Sequence, residues 1–182
     1  NGRLVPGRQL RADDFDGALG EANNPGWKTV AWDETSGSVV APNGSIGFRW
    51  GEQGKWNLEQ RAKGAEAHLR LTQILDGHHD EIVGVDFPYF GGQATPNFVR
   101  CDHPDVLTRN VPARRMTLAD GTVALVATVF DLVCANYSLD RGLGGDAVAK
   151  TFDQDVPYTP AWAEKITGVK AQGDDTVVWT LS

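Results

Sequence analysis

The residues best suited to chemistry in this chain form a few short groups, and each sets a geometric demand. His78, His79 and Asp80 are consecutive, and imidazole with carboxylate is a familiar donor set for zinc and related metals. Adjacent side chains diverge in a helix and in a strand, so the group reads as a polar loop rather than a metal site. Cys101 and His103 flank Asp102, which supplies the residue types of an activated thiol. Activation needs the imidazole within hydrogen-bond reach of the sulfur, and a spacing of two does not arrange that. A packed loop cysteine is the expectation. Gly91-Gly92 and Gly142-Leu143-Gly144-Gly145 are glycine-rich. Neither follows the strand–GxGxxG–helix pattern, and no Walker lysine is present, so turns are expected, with close approach to a phosphate as the alternative. Asp13, Asp14 and Asp16, and further on Asp174 and Asp175, sit where caps and solvated loops belong. Residue types and spacing therefore designate no catalytic residue and no metal ligand.

The elements that must position these groups are short and mixed. Asp13 is placed to cap a helix through Phe15, Ala18 and Leu19, ending near Asn23-Asn24-Pro25-Gly26. Trp27 to Trp32 alternates as a strand, turns at Thr35-Ser36-Gly37 and returns through Ser38-Val39-Val40. Asn43-Gly44 signals another turn, before a strand from Ile46 to Trp50. The polar stretch 60–80 ends at Gly77-His78-His79-Asp80, expected to be exposed. A strand from Glu81 to Phe87 stops at Pro88, and Gly91 to Pro112, with prolines at 96, 104 and 112, reads as irregular. A hairpin pairs Arg115–Leu118 with Thr122–Val126 around Ala119-Asp120-Gly121. Thr128 caps a helix from Val129 to about Leu139 whose apolar residues surround it, which predicts burial. Thr159-Pro160 opens another helix, closed by Gly168. The fold class is α+β, hairpins around a few helices.

A chain of 182 residues is one domain or two small ones. Its net charge of −7 argues against a nucleic-acid or anionic-membrane surface, which would need a basic patch. Two cysteines without CxxC spacing fit buried thiols in a reduced compartment better than a disulfide scaffold. The longest apolar stretch, Val123 to Ala135, is interrupted by Thr128 and Asp131 and is shorter than a membrane span. The chain begins at Asn1 and not at methionine, as a piece of a longer protein would.

The most distinctive segment is Ala41 to Glu59, APNGSIGFRWGEQGKWNLE. Its glycines allow turns and close approach, while Trp50 and Trp56 need a surface to pack against. With it stand Gly7-Arg8-Gln9-Leu10-Arg11-Ala12-Asp13-Asp14 and Asn23-Asn24-Pro25-Gly26-Trp27-Lys28-Thr29-Val30. Phe87-Pro88-Tyr89-Phe90-Gly91-Gly92, Leu118-Ala119-Asp120-Gly121 and Asp140-Arg141-Gly142-Leu143 follow. Last comes Tyr158-Thr159-Pro160-Ala161-Trp162-Ala163-Glu164-Lys165-Ile166-Thr167-Gly168-Val169. Taken in order, these blocks resemble an internal region of the catalytic α subunit of membrane-bound respiratory nitrate reductases. The final block is similar to a helix found across molybdopterin oxidoreductases, and the earlier ones resemble the nitrate reductase branch.

The resemblance implies a larger molybdopterin oxidoreductase fold and a parent enzyme that reduces nitrate to nitrite at molybdenum. The metal would be held by two molybdopterin guanine dinucleotides, with electrons arriving from quinol through iron–sulfur clusters, one of them a 4Fe–4S cluster of the parent. An iron–sulfur β subunit and a haem-containing membrane γ subunit would be the partners, at the cytoplasmic face of the cell membrane. The family's cluster ligands and ligating aspartate lie upstream of the matching region, so no residue here inherits a metal-ligand or catalytic role. The segment is expected to be scaffold around the cofactor cleft, inactive by itself, with apolar surface left open. Two other readings are a segment of a related molybdenum oxidoreductase with another substrate and a free-standing β-rich binding module. Residues 1–169 form the resembling segment. Residues 170–182 depart from the family pattern: Lys170-Ala171-Gln172-Gly173-Asp174-Asp175 and then Thr176 to Leu181 read as a turn and a strand, of uncertain origin.

Overall fold

In the computed structural model, residues 4–22, 24–42, 61–62, 65–66, 68–74, 77–88, 106–172 and 176–178 are described. In chain order the strands are β1 (Ala31–Asp33), β2 (Ser38–Val40), β3 (Arg61–Ala62), β4 (Ala65–Glu66), β5 (Glu81–Pro88), β6 (Val106–Thr117) and β7 (Val123–Val126). Helices α1 (Val129–Asn136) and α2 (Pro160–Thr167) follow, then β8 (Lys170–Gln172) and β9 (Thr176–Val178). Every strand pairing between these elements is antiparallel, in keeping with an α+β chain built from hairpins. Among the described residues no helix is long and apolar enough to cross a membrane.

Two compact units divide the chain. One comprises Asn1–Pro6, His79–Ala113 and Ala127–Ser182, the other Gly7–His78 and Arg114–Val126.

In the first unit, β5 pairs with β6 from Glu81↔Ala113 to Pro88↔Val106. Alternation in β5 sends Val83, Val85 and Phe87 to one face, where they meet Val111, with Leu132 and Ala135 of α1 packed over them. Thr128 caps α1 as its sequence position indicates, its hydroxyl accepting from Asp131 N–H at 3.0 Å. The helix ends earlier than expected, at Asn136, because Ser138 adopts φ 63°, outside helical space. Its burial is also corrected. Only Asp131, Cys134 and Ala135 are buried, while Val129, Phe130, Val133 and Tyr137 lie on an open side. Helix α2 runs between the Thr159 cap, which accepts from Trp162 N–H at 3.2 Å, and Gly168 at φ 72°. Of the tail, the strand read from Thr176 appears as β9 over Thr176–Val178, while Lys170–Gln172, read as part of a turn, forms its partner strand β8; residues 173–175 and 179–181 lie outside the described residues.

Residues 106–112, expected to be irregular, are the first part of the twelve-residue β6. The prolines misled. Pro112 is fully buried opposite Ile82, and proline is tolerated wherever the ladder does not call on its missing N–H.

In the second unit, β1 and β2 form the expected hairpin, with Trp32 opposite Val39. The Asp33 carboxylate shapes its turn by accepting from Thr35 N–H and Ser36 N–H, both at 3.1 Å, and from His68 N–H at 2.8 Å. Arg114 stacks 4.0 Å above the Trp32 ring and Arg70 lies 5.4 Å from it. The β6–β7 hairpin closes through Leu118 N–H to Thr122 C=O at 2.8 Å. The strand expected from Trp27 is shorter, since Pro25–Trp27 forms a 3-10 turn. The helix expected behind Asp13 is two separate turns, Ala12–Asp14 and Asp16–Gly20. Extended Phe15 breaks between them, and residues 17–19 take positive φ. Asp14, not Asp13, caps this region by accepting from Arg11 N–H at 2.7 Å. The turn at Asn43-Gly44 and the strand Ile46–Trp50 lie outside the described residues.

Candidate functional site

Val85 and Arg109 are direct partners across β5 and β6, and cross-strand partners share one face of a sheet. Arg109 therefore enters the same layer as Val83, Val85, Phe87 and Val111, and is only 1% exposed. A cation there must have every donor answered. Nε donates to Asp146 C=O at 3.0 Å, Nη1 to Asn136 C=O at 3.3 Å and Nη2 to Ser138 Oγ at 2.7 Å. Asn136 is the last residue of α1, so its carbonyl has no partner within the helix, and a cation there also meets the negative end of the helix dipole. Ser138 Oγ donates onward to Pro157 C=O at 2.9 Å, and the Tyr158 ring lies 5.7 Å from the guanidinium carbon.

Backbone strain gathers at the same place. Ser138 and Tyr158, both touching Arg109, hold φ of 63° and 72°, which L-residues adopt only when their surroundings insist. Gly145, at φ 125°, bridges antiparallel to Arg109, and a Cβ on it would stand 2.7 Å from Arg109 Cα. Flanking bonds run from Asp146 N–H to Thr108 C=O at 2.8 Å and from Asn110 N–H to Gly144 C=O at 3.3 Å. Within the run 142–145, Gly145 thus serves close approach, and what it approaches is strand β6, while a Cβ at Gly142 would meet open space.

At the other end of α1, Asp131 is buried in the first turn and accepts from Thr128 Oγ1 at 2.8 Å and Arg141 Nη1 at 2.7 Å. Arg141 also lies 5.3 Å from the Phe130 ring. A cleft lined by Arg109, Asn110, Asp131, Arg141, Leu143 and Gly144 has free space of about 10 Å³, room for one water.

Chemically this is a fixed charge arrangement. Burial pushes the Arg109 guanidinium below its ordinary value, with Tyr158 and Asp146 opposing, yet arginine stays charged near neutrality and neither gives nor takes a proton there. Each of its three nitrogens donates to a protein acceptor, two of them backbone carbonyls, so the guanidinium positions backbone.

The groups singled out in the sequence fall elsewhere. His78 and His79 are half-buried, not exposed, and Asp80 is exposed with its N–H on Ala113 C=O at 2.9 Å. Among the described residues no three His, Cys, Asp or Glu side chains form a group able to hold a metal. Asp14 pairs with Arg8, whose hydrogen bond holds that carboxyl below its ordinary value. Cys134 is a buried free thiol. Cys101, Asp102, His103, Gly91, Gly92, Asp174 and Asp175 lie outside the described residues. Arg109, Asp131 and Ser138 were not marked by any motif; the register of β6 against β5 brings Arg109 forward, its hydrogen bond brings Ser138, and the ion pair with Arg141 brings Asp131.

No protein-family profile matches the chain. It is 54% identical over 177 residues, 97% of its length, to the respiratory nitrate reductase 2 alpha chain of Escherichia coli K12. It is 43% identical over 159 residues to the respiratory nitrate reductase alpha chain of a Bradyrhizobium species, 87% of its length. It is 37% identical over 174 residues, 94% of its length, to the nitrate reductase alpha chain of Bacillus subtilis. The chain spans 14%, 14% and 13% of these relatives, respectively. Over the region it covers, the chain belongs to the respiratory nitrate reductase α-chain family.

Proposed function

We propose that this chain is a scaffold segment of a respiratory nitrate reductase catalytic subunit. The observation that carries the reading is identity of 54% across 97% of the chain to an α chain of that enzyme. The site geometry supports a scaffold role, because its buried ions and strained residues are consumed in fixing β6, α1 and the 144–146 edge. Residues 1–169 hold the α-chain blocks quoted above, and the 177-residue match to an α chain runs on into residues 170–182.

In the parent protein the reaction is reduction of nitrate to nitrite by oxygen-atom transfer at a molybdenum bis(molybdopterin guanine dinucleotide). That chemistry belongs to the cofactor, and the protein supplies binding and orientation. Electrons reach it from quinol through iron–sulfur clusters, by way of an iron–sulfur β subunit and a haem-bearing membrane γ subunit at the cytoplasmic face. The residues described here contribute rigidity to the walls around that centre.

The test is nitrite formation by the purified full-length gene product with its partner subunits, driven by reduced methyl viologen. Nitrite that disappears when cells are grown on tungstate in place of molybdate is expected. A molybdenum-loaded, folded complex that reduces another oxyanion and leaves nitrate untouched would overturn the reading.

A further inference from the structure

Both sides of helix α1 are apolar, but among the described residues only one is covered. Leu132 and Ala135 pack on the core, while Val129, Phe130, Val133 and Tyr137 are 60%, 39%, 45% and 55% exposed. These positions follow helical spacing, 129-133-137 with 130 beside them, so they make one continuous stripe. The stripe runs on into an aromatic group, since the Tyr137 ring meets the Tyr158 ring edge-on at 6.2 Å between centroids. Tyr158 in turn sits 5.4 Å from Trp162. Charge is absent from the stripe. Arg141 is tied to buried Asp131 and lies over Phe130 with its guanidinium.

An open apolar stripe of this kind on a soluble surface marks an interface. The cover is argued from length. The chain spans about 14% of the α chains it matches, so most of such a polypeptide lies outside it. We infer that the Val129–Tyr137 face of α1 is the docking face for an apolar segment of the same α polypeptide outside these 182 residues. This rests on the α-chain reading. The lock at both helix ends fits such a role: Thr128 and Arg141 fix the first turn through Asp131, and Arg109 fixes the last through Asn136. A rigid helix loses little freedom when its open side is covered.

Hydroxyl-radical footprinting of the wild-type full-length enzyme tests this without any substitution. Phe130 and Tyr137 should be oxidised at least about tenfold more slowly in the native α subunit than in its urea-unfolded form, as covered groups are shielded until they open. The protection should persist when α is separated from its partner subunits and diluted to a monomer. Oxidation near the unfolded rate, in a preparation that still makes nitrite, would overturn the inference and leave the α-chain reading standing. Protection lost on removing the partners or on dilution would also overturn it, assigning the face to another subunit or to a second copy. Persistent protection in a monomer that makes no nitrite would uphold the buried face and count against the reading of function.

Discussion

Ser138 Oγ accepts from Arg109 Nη2 at 2.7 Å and donates its own hydrogen bond to Pro157 C=O at 2.9 Å. One fully buried hydroxyl thus answers a guanidinium on β6 and a carbonyl before α2. Replacing it, Ser138→Ala, leaves the buried guanidinium and the half-buried Pro157 carbonyl each short of a partner, at a cost of about 1–3 kcal/mol. Urea unfolding of the purified chain should show a lower midpoint. An unchanged midpoint would mean that water takes over the hydroxyl's place.

Gly145 and Gly121 separate steric need from conformational need. Both have positive φ, but a Cβ at Gly121 meets open space, whereas at Gly145 it meets Arg109 Cα at 2.7 Å and Thr108 O at 3.0 Å. Gly121→Ala should cost about 1 kcal/mol from backbone strain alone. Gly145→Ala should cost about 2–4 kcal/mol, since backbone must move as well. Thermal melts of the two variants side by side decide the point, and equal losses would refute the close approach.

The caps of the two helices are comparable in chemistry. Thr159→Ala removes an acceptor for Trp162 N–H and a donor to Gln154 C=O at 2.7 Å, and Thr128→Ala removes the partner of Asp131 N–H. Each should destabilise by about 1–2 kcal/mol. Ser at either position should recover most of the loss, because its hydroxyl reaches the same groups; failure of Thr159→Ser to recover would point to the lost methyl instead.

Asp33 makes acid stability depend on one turn. Its hydrogen bond from Ser36, foremost, with further bonds from His68 and Thr35 N–H, holds the carboxyl at about 2, against an ordinary 3.8. A carboxyl depressed on folding contributes its stability in full above the unfolded value and loses it as pH falls through the folded one. The chain should therefore lose stability between pH 3.8 and about 2 more steeply than Asp33→Asn, in unfolding midpoints measured across that range. Parallel curves would dissociate Asp33 from the acid limb.

Local signals were legible where chemistry is local. Thr128, Thr159-Pro160 and Gly168 marked helix ends, Thr35-Ser36-Gly37 and Ala119-Asp120-Gly121 marked turns, and all serve those purposes. The strand through residues 106–112 was hidden because Pro112 argues against a strand by itself, and only its partner Ile82 shows that its N–H is not needed. The Arg109 clamp was hidden for a related reason. Its acceptors lie 27 to 37 residues away, and no spacing rule connects a strand arginine to the end of a helix. The open side of α1 was misread because apolar residues around a helix indicate burial, without indicating which chain segment supplies the cover.

If this chain is a working part of a nitrate-reducing α subunit, it should function in place of a relative's own segment. The most direct measurement replaces the matching segment of the Escherichia coli respiratory nitrate reductase 2 alpha chain with these 182 residues and assays nitrite in cells lacking their own nitrate reductases. Nitrite formation well above that of a strain carrying the segment deletion is the predicted result. A chimera that accumulates to the level of the intact subunit, stays bound in the membrane complex and forms no nitrite would contradict it.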